Sequence, residues 1–304
     1  MLSSHVTRYV AFHRDLGLQF GQQERLLELY ARYAEEHGDL YTVASRIHDW
    51  CVTASSPNSA RTRYDTVRRF CVFLNAENRR HEVPPASAFG RGKRPRPAPH
   101  LLESNQVRAI MQAALDLPPK GSISPHTYHH LFGLLAATGL RISEALALQR
   151  HDITEDGLVI RQGKFGKSRL VPLHATTRRA LADYLTIRNA QGGNGDDLFV
   201  VKTGRAPTST RAHVVFVRLA RQLGFRGGTG VKGPRLHDLR HTFAVRSLEA
   251  CGHDRQAVRR HIVALSTYLG HADVMNTYWY LQATPVLMHD IAEANERLFQ
   301  GGVA

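Results

Sequence analysis

The sequence is short of cysteine. It has three in 304 residues, Cys51, Cys71 and Cys251. An odd number at wide spacing excludes a disulfide framework and points to a reducing compartment. No two of them stand at zinc-site spacing. Long apolar runs are also missing, which excludes a transmembrane helix. The first residues, MLSSHVTRYVAFHRDLG, lack the charged-then-apolar order of a secretory signal. A cytoplasmic location is therefore expected. Acidic residues are few: 26 Asp and Glu stand against 40 Lys and Arg, a formal charge of +14. Such an excess suits a polyanionic partner, either nucleic acid or an anionic membrane surface. What remains is ordinary for a globular chain, with 42% hydrophobic and 22% charged residues, and the length suits two domains.

The positive charge is unevenly spread. Residues 1–50 carry a net −2, residues 51–100 a net +7 and the remainder +9. The stretch 61–96 is therefore the first place to seek phosphate contacts. Helical spacing is plain over Glu24–Glu36, where Leu26, Leu29, Tyr30, Tyr33 and Ala34 recur and Gly38 follows as a cap. A second helix is expected over Thr42–Val52. SSPNS (55–59) reads as a turn. A third helix then places Tyr64, Val67, Cys71 and Leu74 on one face, with Arg61, Arg68 and Arg69 on another. VPPASAFGRGKRPRPAP (83–99) holds five prolines, two glycines and four basic residues and cannot continue a helix. It is read as a linker, basic and proline-rich, with Lys93, Arg94 and Arg96 laid along a phosphate backbone. The expected division is 1–82 as a helical DNA-binding domain, 83–100 as linker and 101–304 as a catalytic domain.

Beyond the linker, Ser104 is expected to cap a helix reaching Ala114. A buried helix over 126–137 should end at Thr138-Gly139, and another should begin near Arg141. LVIR (158–161) and RLVPL (169–173) flank a glycine- and lysine-rich turn, the signature of a β-hairpin. Helices are expected over 176–187, 211–223, 237–250, 256–268 and 285–298.

Five segments carry the chemistry. TGLRISEAL (138–146) sets Arg141 at a helix start. GKFGKSRLVPL (163–173) sets Lys164 in the hairpin turn. RLHDLRHTFA (235–244) puts His237 and Arg240 on one helix face. YLGHADV (268–274) places His271 after a glycine, and NTYWYL (276–281) carries Tyr278 and Tyr280. A phosphodiester in transition gathers charge on its non-bridging oxygens, and arginine's planar fork meets that charge without deprotonating. Arg141 and Arg240 would clamp one phosphate. His237 and His271 would donate to its oxygens or move a proton. A tyrosine would supply the nucleophile and a lysine the proton for the departing oxygen. The set calls for no metal and no cofactor.

The ordered set Arg141, Lys164, His237-x-x-Arg240, His271, Tyr280 resembles the tyrosine recombinases, the phage-integrase family of site-specific DNA recombinases. ATGLRISEALAL (137–148) is similar to the family's first arginine box and LHDLRHTFA (236–244) to its second. LGHADVMNTYWY (269–280) is similar to its His-to-Tyr segment, and GKFGKSRLVPL to its lysine hairpin. The resemblance implies a mainly α fold with a small antiparallel sheet. It implies a two-domain DNA clamp, a helical core-binding domain joined to a catalytic domain. Tyr280 would attack the scissile phosphate, form a 3′-phosphotyrosyl link and free a 5′ hydroxyl. Arg141 and Arg240 would hold the oxygens, His237 and His271 would assist, and Lys164 would protonate the leaving oxygen. Lys167 competes with Lys164 and Tyr278 with Tyr280. The implied partner is double-stranded DNA at the nucleoid, with no membrane. Four protomers would act on paired sites, with or without other recombinases or DNA-bending proteins, and without ATP. The helix over 285–298, with Leu287, Ile291 and Ala294 or Leu298 on one side, would dock on a neighbouring protomer. A two-domain layout without an arm-binding segment suggests a bacterial mobile element.

Three rival readings differ in testable ways. His237-Asp238-Leu239-Arg240-His241 is one carbon short of the zinc motif H-E-x-x-H, but Arg240 would place a cation beside the metal. A catalytically silent DNA-binding subunit would leave the full residue set unexplained. A type IB topoisomerase would share the chemistry but need no paired site.

Overall fold

The computed structural model describes residues 1–86, 88–90, 99–161, 168–191, 195–251, 255–271 and 273–280. Lys164, Lys167, Lys93, Arg94, Arg96 and the expected helix over 285–298 lie outside them. The chain divides into two compact units, Met1–Arg96 and Pro97–Ala304.

The first unit is four helices: α1 (Leu2–Asp15), α2 (Gly21–Glu36), α3 (Ala44–Val52) and α4 (Pro57–Glu77). Of SSPNS, Ser55 and Ser56 lie in the bend between α3 and α4, while Pro57, Asn58 and Ser59 are already the first turn of α4. Ser56 accepts a hydrogen bond from the Ser59 amide at 3.2 Å, and Pro57 follows as the first helical residue, where a missing N–H costs nothing. Tyr64, Val67, Phe70, Cys71 and Leu74 of α4 are buried against Leu2, Val6, Tyr9, Leu27, Tyr30 and Ile47. Tyr9 meets Phe70 and Phe73 with ring centres 5.3 and 5.0 Å apart. Residues after α4 also pack here: the Tyr64 hydroxyl donates to the Pro85 carbonyl at 2.6 Å, and Phe89 lies 5.0 Å from the Tyr64 ring. Burial pushes the thiols of Cys51 and Cys71 up to about 12, so both stay protonated and inert.

The second unit is built around α6 (Ile123–Thr138), which is apolar on nearly every side. Packed about it are α5 (Ser104–Leu115), α8 (Ala175–Ala190) and α10 (Asp238–Glu249). Glu103, not Ser104, is the N-cap of α5, and its amide donates to the Gln106 side chain at 2.9 Å. The remaining elements are α7 (Ile142–Leu146), α9 (Ser209–Gln222), α11 (Arg255–Leu269) and α12 (Met275–Tyr278), with a 3-10 turn at Arg150–Asp152. Strands β1 (Leu158–Ile160) and β2 (Arg169–Val171) pair antiparallel, with Leu158 opposite Val171 and Ile160 opposite Arg169. Among the described residues the fold is thus mainly helical with a small two-stranded antiparallel sheet. Among the described residues no helix is long and apolar enough to cross a membrane.

Gly139 ends α6 in the left-handed conformation, φ +61°. A Cβ there would stand 2.5 Å from the Phe243 ring. Only glycine meets both demands, and the turn it makes delivers Arg141 to the start of α7.

Candidate active site

Three arginines converge on the last carbonyls of α11. Arg141, the N-cap of α7, donates to the carbonyl of Gly270 at 2.9 Å and of Leu269 at 3.3 Å. Arg240, on α10, donates to the same Leu269 carbonyl at 2.8 Å and to Gly139 at 2.8 Å. Arg169, on β2, donates to the Tyr268 carbonyl at 2.8 Å. The last carbonyls of a helix lack intrahelical partners and carry its negative dipole end, so they suit guanidinium donors. Gly270, φ +64°, turns the chain here, and a Cβ on it would stand 2.8 Å from the Arg169 guanidinium.

Glu144 is the counter-charge. It accepts a two-pronged pair from Arg169 at 2.8 and 3.1 Å and another bond from Arg141 at 2.7 Å. Burial alone would raise its pKa, but the bonds from Arg169 and Arg141 outweigh that and hold it at about 2. One carboxylate among three arginines leaves the cluster positive. Burial, reinforced by Arg141, lowers Arg240 to about 10, which still leaves it charged at neutral pH.

The histidines are held neutral. Burial, then the charge of Arg240, pulls His237 and His271 down to about 4. His271 Nδ1 lies 2.7 Å from the Thr277 hydroxyl, which fixes its ring. Asp238 is buried and accepts from the guanidinium of Arg235 at 3.0 Å and from that residue's amide at 2.7 Å.

Tyr280 is 2% exposed, whereas Tyr278 is 42% exposed. The Tyr280 ring lies parallel to His271 at 6.3 Å, and its hydroxyl is 3.2 Å from His241 Nδ1. Of the six residues expected to act, the structure therefore gathers Arg141, His237, Arg240, His271 and Tyr280. Lys164 lies outside the described residues.

Two residues of the cluster escaped the sequence reading. Arg169 was legible: the hairpin turns Val171 inward, so the residue two before it shares the inward face. His241 was weighed only as a metal ligand. Its ring is 4.5 Å from that of His237, and no group of three His, Cys, Asp or Glu side chains able to hold a metal occurs among the described residues.

In the first unit, the three arginines expected to contact DNA have different settings. Arg69 is exposed. Arg68 donates to the Pro84 carbonyl at 3.0 Å, and Arg61 lies 3.7 Å from Asp65.

Comparison with known proteins identifies the family. Residues 100–285 match the phage integrase family. The chain is 36% identical over 306 residues to y4rB of Sinorhizobium fredii, named as an integrase/recombinase, covering 97% of each. It is 29% identical over 249 residues to the tyrosine recombinase XerD of Brucella abortus, covering 80% of this chain and 77% of that one. Among solved structures, the Tn1549 transposon integrase in complex with transposon right-end DNA superposes with a TM-score of 0.65 at 17% identity, over 98% of this chain and 99% of that one. XerH site-specific recombinase bound to its difH substrate gives 0.64 at 19%, over 97% and 85%. With a family match over residues 100–285 and a relative 36% identical across nearly the full length, the chain belongs to the phage integrase family of tyrosine recombinases, the site-specific recombinases that cut and rejoin DNA.

Proposed function

We propose that this recombinase works through a 3′-phosphotyrosyl intermediate on Tyr280 and serves a bacterial mobile element. The observation that carries the reading is the cluster itself: three arginines with one counter-carboxylate, neutral histidines and a tyrosine hydroxyl in one place.

The Tyr280 oxygen attacks phosphorus, and the bond to the 5′ oxygen breaks. Arg141 and Arg240 stabilise the charge that grows on the non-bridging oxygens, an arrangement fixed before substrate arrives and so free of reorganisation cost. Neutral His237 and His271 donate hydrogen bonds to those oxygens. Lys164 protonates the departing 5′ oxygen. The covalent link keeps the bond energy, so rejoining needs no ATP. Residues 1–82 grip the duplex with Arg61, Arg68 and Arg69, and the linker 83–100 follows the backbone with Lys93, Arg94 and Arg96. The partner is double-stranded DNA, worked on by four protomers at paired sites. The integrase reading is supported by the likeness, over nearly the full length, to y4rB, which is named as an integrase/recombinase.

The test is a covalent-trap assay. Protein is mixed with supercoiled plasmid carrying its native flanking DNA, EDTA is added, and the reaction is quenched with detergent. A protein–DNA adduct is expected with wild type and none with Tyr280→Phe, while both bind DNA. An adduct with Tyr280→Phe overturns the assignment of the nucleophile.

A further inference from the structure

His241 has no part in the chemistry set out above, yet its Nδ1 is 3.2 Å from the hydroxyl of the nucleophile. We propose that His241 is a catalytic residue of this recombinase, the acceptor of the Tyr280 proton when the phenol attacks DNA. The inference rests on Tyr280 being the nucleophile.

A phenol attacking phosphorus must shed its proton. Tyr280 is buried, and a proton expelled inside an arginine-rich cluster needs an acceptor at hand. The arginines are cations and cannot take it. His271 has its Nδ1 engaged by Thr277. His237 packs its ring edge-on against His241, with ring centres 4.5 Å apart. His241 is neutral at pH 7, because burial and then His237 lower its pKa to about 4. With its proton on Nε2, a neutral imidazole presents Nδ1 as an acceptor in the observed contact. Trp279 packs edge-on against the ring at 5.2 Å and holds its orientation.

The step balances. The Tyr280 O–P bond forms, the P–O5′ bond breaks, His241 Nδ1 gains the phenolic proton, and Lys164 delivers a proton to the 5′ oxygen. In rejoining, His241 returns the proton to the phenol. The titratable and charged groups facing His241 are His237, Arg235 and Arg240, which oppose its protonation, Asp238, which favours it, and Tyr280. A bound DNA phosphate adds negative charge beside Arg240 and makes the imidazolium easier to form.

The test compares adduct formation by wild type, His241→Ala, His241→Asn and Lys164→Ala on two duplexes. One has an ordinary phosphate at the cleavage position mapped with wild type. The other has a 5′-bridging sulfur there, whose thiolate leaves without a proton. His241→Ala is expected to slow the adduct about 100-fold at pH 7 on both duplexes. That deficit should shrink as pH rises toward phenol ionisation near 10. Lys164→Ala should be slow on the phosphate and restored on the sulfur. His241→Asn keeps a hydrogen-bonding group but no proton acceptor, and it should stay slow; it carries the test if the alanine variant does not fold. A wild-type rate for His241→Ala, a deficit that sulfur abolishes, or full activity in His241→Asn would each overturn the proposal. An adduct with Tyr280→Phe, or none with wild type, would instead bring down the reading beneath it.

Discussion

The two units handle positive charge in opposite ways. In the first, arginines lie near the surface on local partners: Arg63 sits 4.6 Å over the Trp50 ring, Arg80 over Tyr41 at 5.6 Å, and Arg61 beside Asp65. In the second, Arg141, Arg169 and Arg240 are sunk among backbone carbonyls with Glu144 as counter-charge. Surface cations attract a polyanion from a distance, each adds little, and salt screens them. Sunken cations cost desolvation, but they are screened far less, and in the proposed reaction they stand in place before the transition state forms. One arrangement suits binding and the other suits chemistry, although both are built from arginine.

The sharpest way to break that contrast is Arg240→Ala. Adduct formation in a single-turnover assay should fall about 10²- to 10³-fold, the usual cost of removing one donor to a developing oxyanion. DNA affinity measured by gel shift should change little. Equal losses in both would mean that Arg240 serves binding and the contrast is false.

Next in size is Glu144. Its pKa is lowered from 4.5 to about 2, so the folded state favours the carboxylate. Its contribution is complete above about pH 4.5 and is lost as pH falls toward 2, worth ~3 kcal/mol in all. Glu144→Gln should lower the thermal midpoint at pH 7 and flatten the acid limb of the melting profile between pH 4.5 and 2. An unchanged acid limb would show that the arginines do not depend on this carboxylate.

In the first unit the effects should be smaller. Arg69→Ala should weaken DNA binding a few-fold for any sequence and reduce the salt slope of log K by about 1, with the adduct rate at saturating DNA unaltered. Arg68→Ala should do less, since that guanidinium already donates to Pro84. An unchanged slope for Arg69→Ala would remove α4 from the DNA-contacting surface.

Much of this was legible in the residues, for physical reasons that differ from place to place. The hairpin showed because β-rich runs flank a glycine turn. The end of α6 showed because only glycine suits Gly139. Tyr280 stood out over Tyr278 only through the likeness of LGHADVMNTYWY to the family's His-to-Tyr segment; Tyr280 is 2% and Tyr278 42% exposed. Helix α1 was missed although Leu2, Val6, Tyr9 and Val10 recur at helical spacing, because polar residues dilute the stripe. At SSPNS, serine and proline signal a turn and a helix start equally well, and only packing against the core decides. His241 was hidden by its motif: H-x-x-x-H spacing describes one helix, whereas its partner Tyr280 arrives from 39 residues away.

The Leu269 carbonyl accepts from both Arg141 and Arg240. One peptide oxygen is thus a shared hinge pin for two side chains that come from separate arginine boxes on different helices. Moving the end of α11 by an ångström would misalign the pair together rather than one at a time. In the proposed reaction, the two arginines would therefore engage or release a phosphate together.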